Sequence, residues 1–272
     1  MPQDVLGKEY KILSDKKLFL FDMDGTIYLG GILFDRVKEL LKSIEDKGAK
    51  YVFITNNSSK SVKDYVKKLS SFGIKTTEEN FFTSSQASAI LLKEKFKDKL
   101  IFVQGTKSFV KGLKKMGLNL TTRYSDKAVC VLVGFDRELN FKKMETTCKM
   151  LKKDIPYYAT NPDYNCPTEF GSVPDCGSMC FGYEKATGKS PIYIGKPKPI
   201  MIEIVSEKFK VNKEQVVVIG DRIYTDIASG YNAGVDTVLV LSGEATMEDY
   251  NREEIKPTFV LDSVAELLKI LK

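Results

Sequence analysis

Two hydrophobic rhythms alternate along this chain. Short unbroken apolar runs, among them Leu18-Phe19-Leu20-Phe21, Val52-Phe53-Ile54 and Val216-Val217-Val218-Ile219, have the length and β-branched or aromatic character of buried strands. Between them apolar residues recur every three or four positions, as amphipathic helices require. In 35–47, Val37, Leu40, Leu41 and Ile44 share one face, and Gly48 follows as a stop. The pattern predicts strands at 17–24, 51–55 and 81–83, with helices at 35–47 and 61–71 and another running to Phe96. A second series then begins, with strands at 100–103, 129–133 and 157–159 and helices at 109–116 and 141–151. Residues 160–178 break the rhythm with scattered Pro, Gly, Asn and Asp, which predicts a long functional loop. After Gly188 the first series resumes, with strands at 192–194, 216–219 and 237–241 and helices at 199–209, 225–232 and 263–271.

Regular βα alternation implies an α/β fold with a doubly wound parallel sheet of Rossmann-like type. The economical division is a core built from residues 1–96 and 188–272, with a smaller α/β cap domain, 97–187, inserted into it. Residues 28–34, with Gly30-Gly31 at the turn, suit a hairpin flap.

Polar residues collect where the apolar runs end. Leu18 to Phe21 leads into Asp22-Met23-Asp24-Gly25-Thr26, and a buried strand has no use for two carboxylates. Thr55-Asn56 follows the second run, Lys196 follows 192–194, and Asp221 and Asp226 follow 216–219. Strands of a parallel sheet point one way, so these ends are expected on one rim, where open α/β sheets bind ligands. Crowded carboxylates repel one another, and oxygen-ligated Mg²⁺ relieves the repulsion. A lysine, a threonine hydroxyl and an asparagine amide add donors suited to a phosphate. Taken singly, each cluster has a plainer reading. Asp-Gly closes turns, Thr-Asn caps helices, and Lys196 precedes a helix opened by Pro199.

Composition narrows the chemistry. The chain has 272 residues and no histidine, which excludes Ser-His-Asp and Cys-His catalysis and His-ligated metals. Its net charge of +6 comes almost wholly from lysine, dispersed in pairs such as Lys67-Lys68 and Lys142-Lys143. That is the pattern of solvated helix faces, so no nucleic-acid partner is expected. Five cysteines without a CxxC pair argue against a disulfide framework. No apolar run approaches the roughly 20 residues of a membrane span, and no secretory signal is recognisable, so no membrane partner and a cytoplasmic location are expected. Ala186-Thr187-Gly188-Lys189-Ser190 imitates the end of a P-loop but lacks the earlier glycine and the following helix.

The four motifs in order, Asp22-Met23-Asp24-Gly25-Thr26, Thr55-Asn56, Lys196 and Gly220-Asp221 through Asp226, resemble those of haloacid-dehalogenase-like phosphatases. The insertion, with Ala159-Thr160-Asn161-Pro162-Asp163, resembles the NagD-type branch, which includes p-nitrophenyl phosphatases. The resemblance implies that Asp22 is the nucleophile and Asp24 the proton donor and acceptor. It implies Mg²⁺ held by Asp22, the Asp24 carbonyl, Asp221 and Asp226, and phosphate held by Thr55, Asn56 and Lys196. The expected activity is hydrolysis of a small phosphorylated metabolite. Asp24 disfavours a dehalogenase; phosphate transfer to a second hydroxyl, or phospholigand binding without catalysis, are the alternatives. Asn161, Asp163, Tyr164 and Glu169 of the long loop are candidates for substrate specificity. The surface of the inserted domain could carry a homodimer contact.

Overall fold

The computed structural model describes residues 1–168 and 170–271. By Cα proximity these form two compact units. One comprises Met1–Thr55, Val66–Phe82 and the chain from Lys196 onward; the other comprises Asn56–Tyr65 and Thr83–Gly195. The expected insertion, 97–187, lies inside the second unit, which also takes in Asn56–Tyr65 and the helix Ser84–Phe96.

The first unit is built on a six-stranded sheet in the order Phe259–Leu261, Asp236–Val240, Val216–Gly220, Leu18–Phe21, Lys50–Thr55, Phe81–Thr83. The central pairs are parallel and in simple register, Leu18 opposite Val216 on one side and Lys50 on the other. Every residue of Leu18–Phe21 is buried, as a strand covered on both faces demands. Phe19, Phe21, Phe53 and Phe81 form a chain of rings with centroids 5.3–6.3 Å apart. Helix Val37–Asp46 buries Val37, Leu40, Leu41 and Ile44, the stripe its spacing predicts. Each such side chain contributes roughly 1.5–3 kcal/mol by leaving water. The strand stops at Phe21, short of the expected residue 24, so both aspartates stand beyond it.

The second unit has its own parallel sheet, ordered Ile192–Tyr193, Tyr157–Ala159, Cys130–Val133, Ile101–Gln104, Leu120–Thr121. Helices Phe141–Leu151 and Cys176–Thr187 close over a core that includes Phe102, Val131, Val133, Met150, Tyr157 and Cys180.

Three expectations need correction. Ile192–Tyr193 pairs with Tyr158 and Ala159, so it is the edge of the second sheet and not a strand of the first. The stretch 160–178 is not one loop. Asn165–Thr168 and Gly171–Pro174 form an antiparallel ribbon, and a helix starts at Cys176. Pro167 is tolerated there because a two-stranded ribbon leaves part of its backbone outside any ladder. The expected helix 225–232 is instead a π-helical turn, Ile223–Ile227, followed by Ala228–Ala233. The false P-loop is the end of helix Cys176–Thr187, capped by Gly188 at φ +72°. Among the described residues, no helix is long and apolar enough to cross a membrane.

Candidate active site

The site of the first unit grows from three strand ends. Leu18–Phe21 delivers Asp22, and Val216–Gly220 delivers Asp221. The π-helical turn just beyond, where the Ile227 N–H reaches back to the Arg222 carbonyl, carries Asp226 beside Gly220. Wide turns of this kind are frequent at functional sites. One carboxylate oxygen from each of Asp22, Asp221 and Asp226 lies within 4.8 Å of the others.

Lys196 is the cation of the cluster. Its Nζ lies 2.5 Å from Asp22 Oδ1 and 2.6 Å from Asp226 Oδ1, and it donates to the Ile54 carbonyl at 3.3 Å. Burial alone would lower its pKa, but Asp22 and then Asp226 outweigh that and hold the ammonium charged. Lys196 is brought to the rim by the loop that follows Gly195, not by a strand of the core sheet. Thr55 is buried at the end of its strand, next to the Ile54 carbonyl that Lys196 meets.

The two most buried carboxylates are driven toward their protonated forms. Burial, with the charges of Asp22 and Asp226, pushes Asp221 up to about 8. Burial pushes Asp226 up to about 6 although Lys196 opposes the shift. Asp221 is held from three sides. The Thr26 hydroxyl donates to Oδ1 at 3.3 Å, the Glu244 N–H to Oδ2 at 2.8 Å, and the Ala245 N–H to its carbonyl at 3.0 Å. Gly25, at φ +86°, and Gly243 both press against this carboxylate, and a Cβ on either would collide with it. The loop 242–245 is therefore part of the site, and the sequence reading missed it because Ser242-Gly243-Glu244 carries no motif. Its Ser242 hydroxyl donates to the Gly25 carbonyl at 2.9 Å, and Glu244 pairs with Arg222 at 2.8 Å.

Asp24 stands apart from the cluster. Its carboxylate is half-exposed, 3.8 Å from Lys68 Nζ and 3.4 Å from the Tyr28 hydroxyl. Tyr28 opens the short hairpin Tyr28–Leu29 and Ile32–Leu33, so the expected flap is present.

Asn56 and the expected specificity residues belong to the second unit. Asn56 Nδ2 donates to Asp163 Oδ2 at 2.7 Å, and Asn161 Nδ2 donates to the same oxygen at 2.8 Å and to Asp175 Oδ1 at 3.1 Å. All four residues are buried. Asn161 and Asp163 thus sit in an internal network rather than in a solvated loop. The Asn56 amide, expected to hold phosphate, is part of the same network. Tyr164 is exposed and stacks edge-on against Phe181. Glu169 lies outside the described residues.

Three hard oxygen donors, with more carboxylates than the one ammonium beside them can balance, suit a divalent cation of the Mg²⁺ class. The desolvated carboxylates are individually costly and would gain from such an ion.

This fold and this carboxylate set define a haloacid-dehalogenase-like hydrolase. Family models for haloacid dehalogenase-like hydrolases match residues 19–119 and 193–267. The chain is 35% identical to the 5′-nucleotidase YutF of Bacillus subtilis over 92% of its own length and 96% of that protein. The solved 4-nitrophenylphosphatase of Thermotoga maritima superposes with a TM-score of 0.91 at 38% identity, covering 96% of this chain and 99% of the other. A glycerol phosphate phosphatase of Mycobacterium tuberculosis, solved with magnesium, gives 0.87 at 26% identity over 94% of this chain and 77% of that one. The chain belongs to the haloacid-dehalogenase-like hydrolases, in the NagD-type branch that contains the p-nitrophenyl phosphatases.

Proposed function

We propose that this chain is a Mg²⁺-dependent phosphomonoesterase acting on a small phosphorylated metabolite. The observation that carries the reading is the grouping of Asp22, Asp221 and Asp226, the first and last paired with one buried lysine, with Asp24 two residues from Asp22. The names of the relatives support the same class, since each describes a phosphatase or nucleotidase of small esters.

Asp22 is the nucleophile. Its carboxylate oxygen attacks phosphorus as the ester P–O bond breaks, giving an aspartyl-phosphate. Asp24 passes its proton to the departing alcohol oxygen, then takes one from the water that attacks phosphorus and frees Asp22. Lys196 holds the Asp22 oxygen in place beforehand and offers its charge to the phosphoryl oxygens as they come near, with Thr55 contributing its hydroxyl. Asp22, the Asp24 carbonyl, Asp221 and Asp226 would hold Mg²⁺. When bound, the ion supplies charge neutralisation for carboxylates and phosphate that would otherwise repel.

The test is phosphate release from a panel of small esters, p-nitrophenyl phosphate included, with Mg²⁺ or with EDTA. Asp22→Asn serves as the blank. Mg²⁺-dependent release that disappears in the variant supports the reading. Release that survives in Asp22→Asn removes Asp22 from the nucleophile role. Absence of release from every ester, with phosphate instead passed to an added alcohol, would make the chain a phosphotransferase.

A further inference from the structure

Asp24 has a setting that the four motifs do not explain. The chain folds back on itself after Asp22, with the N–H groups of Ile27 and Tyr28 donating to the Met23 carbonyl and the Gly25 N–H to the Tyr28 carbonyl. This turn brings the fully buried Tyr28 ring alongside Asp24, its hydroxyl 3.4 Å from Oδ2. Phe72 packs against the ring, at 5.6 Å between centroids. Lys68 then completes the group. It lies one helical turn from both Tyr65 and Phe72, and its Nζ sits 3.6 Å from the Tyr28 ring centroid and 3.8 Å from Asp24 Oδ1. A lysine side chain ordinarily keeps several rotamers in water. Here the ring face and the carboxylate restrict it together, and it is three-quarters buried.

We infer that Lys68 and Tyr28 are positioning residues for Asp24, gripping one carboxylate oxygen each so that its proton is presented to the leaving-group oxygen. The inference rests on the reading of Asp24 as proton donor. Both residues meet Asp24 itself, so an action through its carboxylate is testable in an Asp24 variant. A small displacement of a proton donor from its reacting oxygen is enough to cost one to two orders of magnitude.

Leaving-group dependence tests this. p-Nitrophenolate departs without a proton, whereas a more basic phenolate needs one as the P–O bond breaks. kcat/KM is measured for a series of aryl phosphates from p-nitrophenyl to p-methoxyphenyl with the wild type, Lys68→Met, Tyr28→Phe, Asp24→Asn and the double variant Asp24→Asn/Lys68→Met. Lys68→Met is expected to lose about tenfold on p-methoxyphenyl phosphate and less than about threefold on p-nitrophenyl phosphate. Tyr28→Phe follows in the same direction, and Lys68→Arg recovers most of the loss. Asp24→Asn shows the same slope at larger amplitude, about 10²-fold or more on the basic leaving group. In the Asp24→Asn background Lys68→Met adds nothing, as expected for a residue that acts through Asp24.

An equal loss on all esters would overturn the inference and make Lys68 a phosphate-binding or structural residue. So would an additive double variant. A flat response in Asp24→Asn itself would remove the proton-donor reading, and the inference with it. Failure of the wild type to hydrolyse any ester would remove both along with the proposed function. Melting curves for each variant separate these results from loss of fold.

Discussion

Two buried acidic groups in this protein show how much the surroundings of a carboxylate reveal. In the second unit, Asp163 Oδ2 accepts from two asparagine amides, and Asp175 Oδ1 accepts from Asn161 and from the Cys176 N–H. Asp136 nearby in the sequence is matched by Lys143 at 2.8 Å and by the Glu138 N–H at 3.0 Å. Donors converge on these carboxylates, and such networks hold a fold together. In the first unit, three carboxylates crowd one ammonium, and the two most buried have their pKa values driven up. In the first arrangement amides, a backbone N–H and a lysine meet the carboxylates, whereas in the second three carboxylates share one ammonium. Excess buried charge therefore points to a ligand, while an equally buried but satisfied cluster does not.

The sharpest way to break this comparison is Asp22→Asn. It removes one carboxylate with almost no change of shape, and turnover of p-nitrophenyl phosphate is expected to vanish; measurable residual activity would sink the assignment. Lys196→Met comes next. Stripped of the buried ammonium they share, Asp22 and Asp226 should destabilise the metal-free chain by about 3–5 kcal/mol, read by urea unfolding. Activity should fall by about 10²–10³-fold as a charge-stabilising donor is lost. A variant as stable as the wild type would show the cluster to be less strained than its geometry implies.

Asp163→Ala tests the other region. Leaving the Asn56 and Asn161 amides without their shared acceptor should cost about 1–3 kcal/mol of stability. The leaving-group slope of the folded enzyme should stay at the wild-type value, as expected for a network whose part is to hold the fold. A changed slope would tie the network to the chemistry.

The smallest effect is a pH dependence. Burial and mutual repulsion raise Asp221 to about 8 and Asp226 to about 6, so the folded, metal-free chain keeps protons that the unfolded chain releases near pH 4. Stability from these groups is thus present at low pH and lost as pH rises through the range up to about 8. Mg²⁺ replaces those protons, and its gain in Tm should be larger at pH 8 than at pH 6. Melting curves at both values, with and without the ion, check this; an equal gain at both would contradict it.

Much of the site was legible in one dimension. Asp22, Asp24, Asp221 and Asp226 were found because carboxylates at the ends of fully apolar runs are out of place in a buried strand. Helix 37–46 was found because its apolar spacing repeats locally. Lys196 stands beside Asp22 and Asp226, though not at the end of a strand of their sheet. Its preceding strand, two residues long, joins the second sheet, and which sheet an apolar pair joins depends on partners far away in sequence. Asn56, Asn161 and Asp163 were read as binding groups because short polar side chains look alike whether they meet a ligand or one another. Lys68 was passed over as one of a solvated Lys-Lys pair.

What the sequence alone determined is the alternation of strands and helices, the α/β class, and the identity of the acids that end the core strands. These follow from periodicity and from the cost of burying charge, both of which act over a few residues. Only the tertiary structure decided that Lys196 lies between Asp22 and Asp226, that the loop 242–245 grips Asp221, that Asn56 turns to Asp163, and that Lys68 meets Asp24. Each of these is a pairing across a long stretch of chain or between a helix and a turn. Hydrogen bonds and ion pairs are set by distances of a few ångströms in space, which separation along the chain does not encode.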